Sequence, residues 1–117
     1  MRKHTEGDTV RAILDLLHAH RIPAWRVNTG ATKIGGRFLR FGVVGMADII
    51  GIQPRVFTRI SGPNVPEDFG RFLAIEVKSG IGKLTPAQQG FLAQVNAAGG
   101  KAFCARSVDD VRRELGL

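Results

Sequence analysis

The amino-acid sequence predicts one α/β domain over residues 1–117, a central mixed β-sheet flanked by helices. Segments with apolar residues at helical spacing alternate along the chain with short apolar runs that are typical of strands. No internal repeat or low-complexity segment interrupts this pattern, and 117 residues are enough for one hydrophobic core but not for two. We therefore expect a single layered domain.

Local signals place the elements in order. Apolar residues from Val10 to Leu17 recur at helical spacing, and Thr85-Pro86 combines a good N-cap with a residue suited to the first helical position. Trp25 alternates with Val27, so we expect it in the core rather than on the surface as a base-stacking platform. The predicted elements are a helix over 5–20, a strand over 24–27, a hairpin or mobile loop over 33–42, a strand over 47–52, a long connection over 53–70, a strand over 72–78, a helix over 85–98, a strand over 101–105 and a last helix capped by Ser107.

Charge and cysteine content limit the classes of function. The net charge of +7 is large for this length and favours a polyanionic partner such as nucleic acid, although a merely basic soluble protein has the same charge. The one cysteine, Cys104, excludes an internal disulfide and a zinc site built from cysteines, which is typical of a cytoplasmic protein. We expect no membrane partner, because no apolar run reaches membrane-spanning length.

The strand over 72–78 carries the first candidate chemistry. Leu73, Ile75 and Val77 share an aliphatic face, whereas Glu76 and Lys78 share the other face, roughly 6–7 Å apart along the strand. Taken alone, this acid and base could equally form an exposed salt bridge on a solvated strand, which contributes little to stability.

Asp48 favours a catalytic interpretation of that pair. It lies near the start of an apolar strand, where an isolated carboxylate is costly unless it is paired or bound to a metal. Carboxylates from neighbouring strands can hold Mg²⁺ through oxygen ligands, and the ion then activates water and neutralises a scissile phosphate. Asp48, Glu76 and Lys78 therefore predict phosphodiester hydrolysis.

Two helical residues are expected to face this site. Glu6 precedes the apolar positions of the first helix at helical spacing, and Gln88 precedes Phe91, Leu92 and Val95 in the same way. The alternative for both is a polar residue at a helix start, where backbone groups are unpaired in any case.

Six motifs occur in order along nearly the whole chain: 26–30, Gly36-Arg37 through Gly42, 45–51 around Asp48, 74–78 with Glu76 and Lys78, 83–89 with Gln88, and the Gly99-Gly100 turn before a strand. In this order they resemble the virus-type replication-repair nuclease (VRR-NUC) family of the PD-(D/E)xK nuclease superfamily. The Asp48 motif lacks the proline that often precedes the aspartate in that family, and the 53–70 connection is longer than usual.

The resemblance implies a restriction-endonuclease-like core and a role for each candidate residue. Asp48, Glu76 and the Val77 carbonyl would bind Mg²⁺ or Mn²⁺. Glu6, which matches the acid of the family's N-terminal helix, would be a further metal ligand. Lys78 would be the catalytic lysine, and Gln88 the catalytic glutamine of the helix.

The resemblance also implies a DNA substrate. Members of the family act on branched or flapped DNA, so we expect a homodimer that cuts structured DNA such as four-way junctions, since one small domain offers one active site. The alternative is a non-catalytic or regulatory DNA-binding module. The residues expected to bind DNA are Asn28, Lys33, Arg37 and Arg40, although a plain basic loop remains the alternative for the last three.

Overall fold

The computed structural model describes residues 5–27, 30–34, 37–41, 43–54 and 69–117, and for 30–34 and 37–41 the backbone alone. Within these ranges helices and strands alternate as expected for an α/β domain. The elements in chain order are α1 (Glu6–Ala19), β1 (Ala24–Arg26), β2 (Gly30–Ile34), β3 (Arg37–Phe41), β4 (Ile49–Pro54), β5 (Gly70–Val77), α2 (Pro86–Ala97), β6 (Lys101–Ala105) and α3 (Val108–Leu115).

Four strands form a mixed sheet in the order β1-β4-β5-β6. The β1–β4 and β4–β5 pairs are antiparallel, whereas β5 and β6 are parallel because α2 carries the chain back between them. Strands β2 and β3 form a separate antiparallel hairpin, so the hairpin alternative for 33–42 is confirmed for its described residues. The mixed sheet predicted from the sequence is confirmed as well.

The two faces of the sheet carry side chains of different size. On one face the large side chains of Leu73, Ile75 and Val77 are fully buried against α1 and α3. On the other face Ala74 and Ala102 lie beneath Leu92 of α2. Small side chains on this second face allow the helix to lie close to β5 and β6.

Local capping explains where the helices begin. The hydroxyls of Thr5 and Thr85 each accept a hydrogen bond from the backbone N–H three residues later, and their own N–H groups donate to the side chain of that residue in a capping box. Ser107 caps α3. All three helices therefore begin where the sequence predicts. No described helix is long and apolar enough to cross a membrane.

Two details differ from the sequence-based prediction. Trp25 is 54% exposed instead of buried, because its neighbour Ala24 takes the core-facing position of β1 and α2 packs over β5 and β6 instead. Asp48 precedes β4 instead of lying within it, because its side chain bonds to β5. The 53–70 connection is described only at its ends, since β4 continues to Pro54 and 55–68 lie outside the described residues.

Candidate active site

Asp48 lies directly before β4 and is fixed by two hydrogen bonds. Its Oδ2 accepts from the Val77 N–H at 2.8 Å, and its backbone carbonyl accepts from the Val27 N–H at 2.7 Å. Continuing the register of Ile49 with Ile75 would bring Val77 opposite Ala47. The Asp48 carboxylate therefore takes the N–H that a longer β4 would have bonded through its backbone.

Glu76 is the one charged residue that is buried in the described part of the chain, with 3% of its surface exposed. Its Oε1 accepts a hydrogen bond from Gln88 Nε2 at 3.0 Å and lies 3.7 Å from Lys78 Nζ. Its Oε2 is also buried and has no hydrogen-bond partner among the described residues. An unpartnered buried carboxylate oxygen is costly, so this atom is available to a proton or a cation.

Gln88 joins helix α2 to the site through both ends of its side-chain amide. Its Oε1 accepts from the Thr85 N–H at 2.9 Å, which completes the capping box from the third residue of the helix. Because the oxygen is used in this way, the NH₂ group points to Glu76. The capping box of α2 therefore determines that Glu76 faces the NH₂ group of Gln88 and not its oxygen.

The surroundings of Glu76 favour its protonated form. The pKa of Glu76 is raised from 4.5 to about 7, chiefly by burial, then by the negative charge of Asp48, to which a protonated Glu76 can donate a hydrogen bond. The ammonium of Lys78 lowers this pKa, and Glu6 adds to the increase. A further positive charge near Oε2 would therefore lower the cost of ionising Glu76.

The donor set fits a hard divalent cation. Asp48 and Glu76 offer carboxylate oxygens, and in an extended strand the N–H and C=O of one residue point to the same neighbouring strand, so the Val77 carbonyl is directed toward Asp48. Oxygen donors of this kind suit Mg²⁺ and Mn²⁺. The described residues contain no cluster of three or more His, Cys, Asp and Glu side chains with metal-binding spacing, and this donor set uses two side chains and one backbone carbonyl.

Lys78 and Glu6 both lie at the end of β5. Lys78 follows the last strand residue, its N–H donates to the Ala105 carbonyl, and its side chain is 15% exposed. Glu6 Oε1 accepts from the Ser79 N–H at 3.1 Å and from its hydroxyl at 3.3 Å. Glu6 therefore lies beside the site, as predicted, and holds the backbone directly after Lys78. Its role as a metal ligand remains a prediction.

A glycine allows the chain before Asp48 to pack against α2. Gly45 has φ +84°, and a Cβ placed there would lie 2.5 Å from the Ala87 carbonyl carbon. The loop that leads to Asp48 therefore lies against the first turn of the helix that supplies Gln88. A larger residue at position 45 would separate the two.

The structure brings together the side chains of five predicted site residues beside the Val77 backbone, and it leaves the predicted DNA-binding residues undecided. The predicted DNA-binding residue Asn28 lies outside the described residues, and the side chains of Lys33, Arg37 and Arg40 do too, although their backbone belongs to the β2–β3 hairpin. The five that meet at one end of the sheet are Glu6, Asp48, Glu76, Lys78 and Gln88.

Sequence reasoning missed Ser79 and the dual use of Gln88. The Thr85-x-x-Gln88 spacing is that of a capping box, so this half of the Gln88 role was visible in the sequence. The contact between Ser79 and Glu6 joins residues 73 positions apart and carries no local signal.

Comparison of the chain with protein-family models, with curated proteins and with solved structures finds no match. The resemblance to the VRR-NUC family therefore stays a prediction, and the chemistry of the site rests on the residues themselves.

Proposed function

We propose that this chain is a metal-dependent nuclease, built on a PD-(D/E)xK-type core, that hydrolyses phosphodiester bonds in DNA. The observation that carries the proposal is the buried Glu76 carboxylate, which lies beside Asp48 with its Oε2 unpartnered in the described structure. A purely structural ion pair with Lys78 would account for Oε1 alone.

The chemistry follows from what each group can hold. Bound Mg²⁺ or Mn²⁺ lowers the pKa of a coordinated water and neutralises charge on the scissile phosphate. Asp48, Glu76 and the Val77 carbonyl are the proposed ligands. Lys78 places an ammonium beside Glu76, where it can orient the attacking water and stabilise charge that develops on the phosphate.

Gln88 and Glu6 keep these groups in position. Gln88 fixes one oxygen of Glu76 by a hydrogen bond, which leaves Oε2 for the metal. Glu6 holds Ser79 and thereby the backbone next to Lys78. Both contributions act through another residue, so their loss is expected to weaken the reaction rather than abolish it.

Cleavage of end-labelled DNA by the purified protein tests the proposal. We expect cleavage in Mg²⁺ or Mn²⁺, loss of cleavage in chelator, and a rate lower by roughly a hundredfold or more in Glu76→Gln. Glu114→Gln is the matched control, because it removes a carboxylate from a partly exposed ion pair with Lys101 at the far edge of the sheet. Absence of cleavage on both linear and branched DNA, or equal rates for Glu76→Gln and wild type, contradicts the proposal.

A non-catalytic DNA-binding module is the second candidate, and the net charge of +7 favours it. Such a module binds DNA with a strong salt dependence and leaves it intact in every metal. The same cleavage assay, run beside a binding assay, separates the two functions.

A homodimer acting on branched DNA is the finer form of the proposal. One active site per domain requires two copies to cut both strands of a duplex or junction, most simply with twofold symmetry. Light scattering on the free protein and cleavage of matched linear and four-way-junction DNA test it. A monomer that cuts linear single strands best contradicts the dimer and the junction preference, and leaves the chemistry of the site unaffected.

A further inference from the structure

Ile81 is the most exposed large hydrophobic side chain among the described residues. It is 95% exposed, whereas the next, Val44, is 62% exposed. An aliphatic side chain left in water forfeits the free energy that its burial would supply. A single exposed hydrophobic residue is common on protein surfaces, so its meaning depends on how it is held and what lies beside it.

The turn that carries Ile81 is held firmly on both sides. Arg106 donates to the Gly80 carbonyl at 2.9 Å and to the Gly82 carbonyl at 2.6 Å. One guanidinium therefore bonds to the residues on both sides of Ile81, which lies at the tip of the turn. The Gly82 N–H closes the turn on the Ser79 carbonyl at 3.0 Å, and Gly80 takes a positive φ of 52°. The backbone is therefore fixed while the side chain at its tip has no cover.

This turn stands next to the catalytic groups. Ile81 is three residues after Lys78, so the chain limits its reach from that residue to about 11 Å. That distance is about three steps of a DNA strand at about 3.4 Å each. Ile81 is thus within a few nucleotides of a phosphate that contacts Lys78.

The surrounding sequence accommodates a polyanion. Residues 79–100 contain no acidic side chain, and their one charged residue is Lys83, which is exposed two positions after Ile81. The first turn of α2 likewise has no acid, unlike the first turns of α1 and α3. The segment therefore adds no negative charge of its own that would repel a DNA strand, and the Glu6 carboxylate that reaches its first residue is held by Ser79.

We propose that Ile81 is a wedge that inserts against an unstacked base next to the scissile phosphate, which deepens the proposed nuclease function and rests on it. Aliphatic side chains of DNA-binding proteins insert between base steps and unstack them. Unstacking costs least where a base is already unpaired, so a wedge here selects DNA with a junction, flap or mismatch without reading its sequence. The two hydrogen bonds from Arg106 lower the conformational entropy lost on insertion, because they already order the turn.

The test measures base unstacking and affinity in the absence of cleavage. Flap DNA carries a fluorescent adenine analogue beside the branch point, and all proteins carry Glu76→Gln so that no cleavage competes. We expect binding to raise the fluorescence, and the added Ile81→Ala to abolish that rise and weaken binding about tenfold. Ile81→Leu should restore both, and Arg106→Gln should weaken binding while keeping the side chain at the tip.

Ile52→Ala is the matched control, because Ile52 is 44% exposed and lies on β4 four residues beyond Asp48. It should leave fluorescence and affinity unchanged. The wedge is overturned if Ile81→Ala gives the same fluorescence and affinity as its parent. It is also overturned if Ile52→Ala loses as much fluorescence and affinity as Ile81→Ala does. In both cases cleavage of DNA by the wild type in Mg²⁺ would still support the nuclease proposal. No DNA binding by any of the proteins, together with no cleavage by wild type, overturns both.

Discussion

Replacing Glu76 by glutamine should change the dependence of stability on pH in the metal-free protein. The pKa of Glu76 is about 7 in the folded protein and near 4.5 in an exposed carboxyl, so the folded state binds this proton more tightly. A raised carboxyl pKa contributes stability at low pH, and that contribution is lost as the pH rises from about 4.5 to above 7. At pH 8 the ionised Glu76 therefore lowers the free energy of unfolding.

The size of the effect follows from the two pKa values. The rise from 4.5 to about 7 corresponds to about 3 kcal/mol, because each tenfold change in proton affinity is worth roughly 1.4 kcal/mol. A small part of this free energy is already lost at pH 5, so between pH 5 and pH 8 wild type should lose about 2–3 kcal/mol relative to Glu76→Gln. A glutamine at this position is neutral, and its oxygen can still accept the hydrogen bond from Gln88.

Urea unfolding in chelator at pH 5 and pH 8 measures this difference. Glu114→Gln is again the control, since this carboxylate is 44% exposed and its ion pair contributes little. A constant difference between Glu76→Gln and wild type at the two pH values would refute the reasoning, and so would a difference that grows as the pH falls.

Further perturbations test the remaining parts of the site. Gln88→Glu keeps the acceptor of the capping box but loses the donor to Glu76, so the cleavage rate should fall about tenfold or more with little loss of stability. Gln88→Ala loses both groups, so it should lower the cleavage rate and also lower the free energy of unfolding by about 1 kcal/mol. Lys78→Met should lower kcat about a hundredfold with little change in melting temperature, whereas Lys101→Met should not affect kcat. Gly45→Ala should destabilise the fold by about 3 kcal/mol in urea unfolding, because of its positive φ and the contact with the helix backbone. Each role would be contradicted by an unchanged variant. The contradicting results are a wild-type kcat in Lys78→Met, a wild-type stability in Gly45→Ala, and a wild-type cleavage rate in Gln88→Glu.

The fold could be predicted from the sequence where local signals are strong. Periodicity and caps located all three helices, and alternation along β5 separated the aliphatic face of Ile75 from the face of Glu76. Trp25 was predicted wrongly because alternation says which residues share a face and not which face the helices cover. That choice depends on tertiary packing, which the short strand β1 does not encode.

The sequence was enough to predict which residues form the candidate site, but not the hydrogen bonds that they make. Carboxylates on neighbouring strands placed Asp48 and Glu76 together, and helical facing added Gln88 and Glu6. The start of β4 after Asp48 could not be foreseen, because a side-chain bond to the Val77 N–H replaces a backbone bond there. The burial that leaves Glu76 Oε2 without a partner likewise arises only when the elements assemble.

The most direct test of the Asp48–Glu76 site is anomalous scattering from a crystal soaked in Mn²⁺ near pH 8. We expect one manganese ion in contact with the Asp48 and Glu76 carboxylates and the Val77 carbonyl, with the Gln88 amide still bonded to Glu76. An absence of manganese there, with the two carboxylates sharing a proton instead, would contradict the proposed metal site.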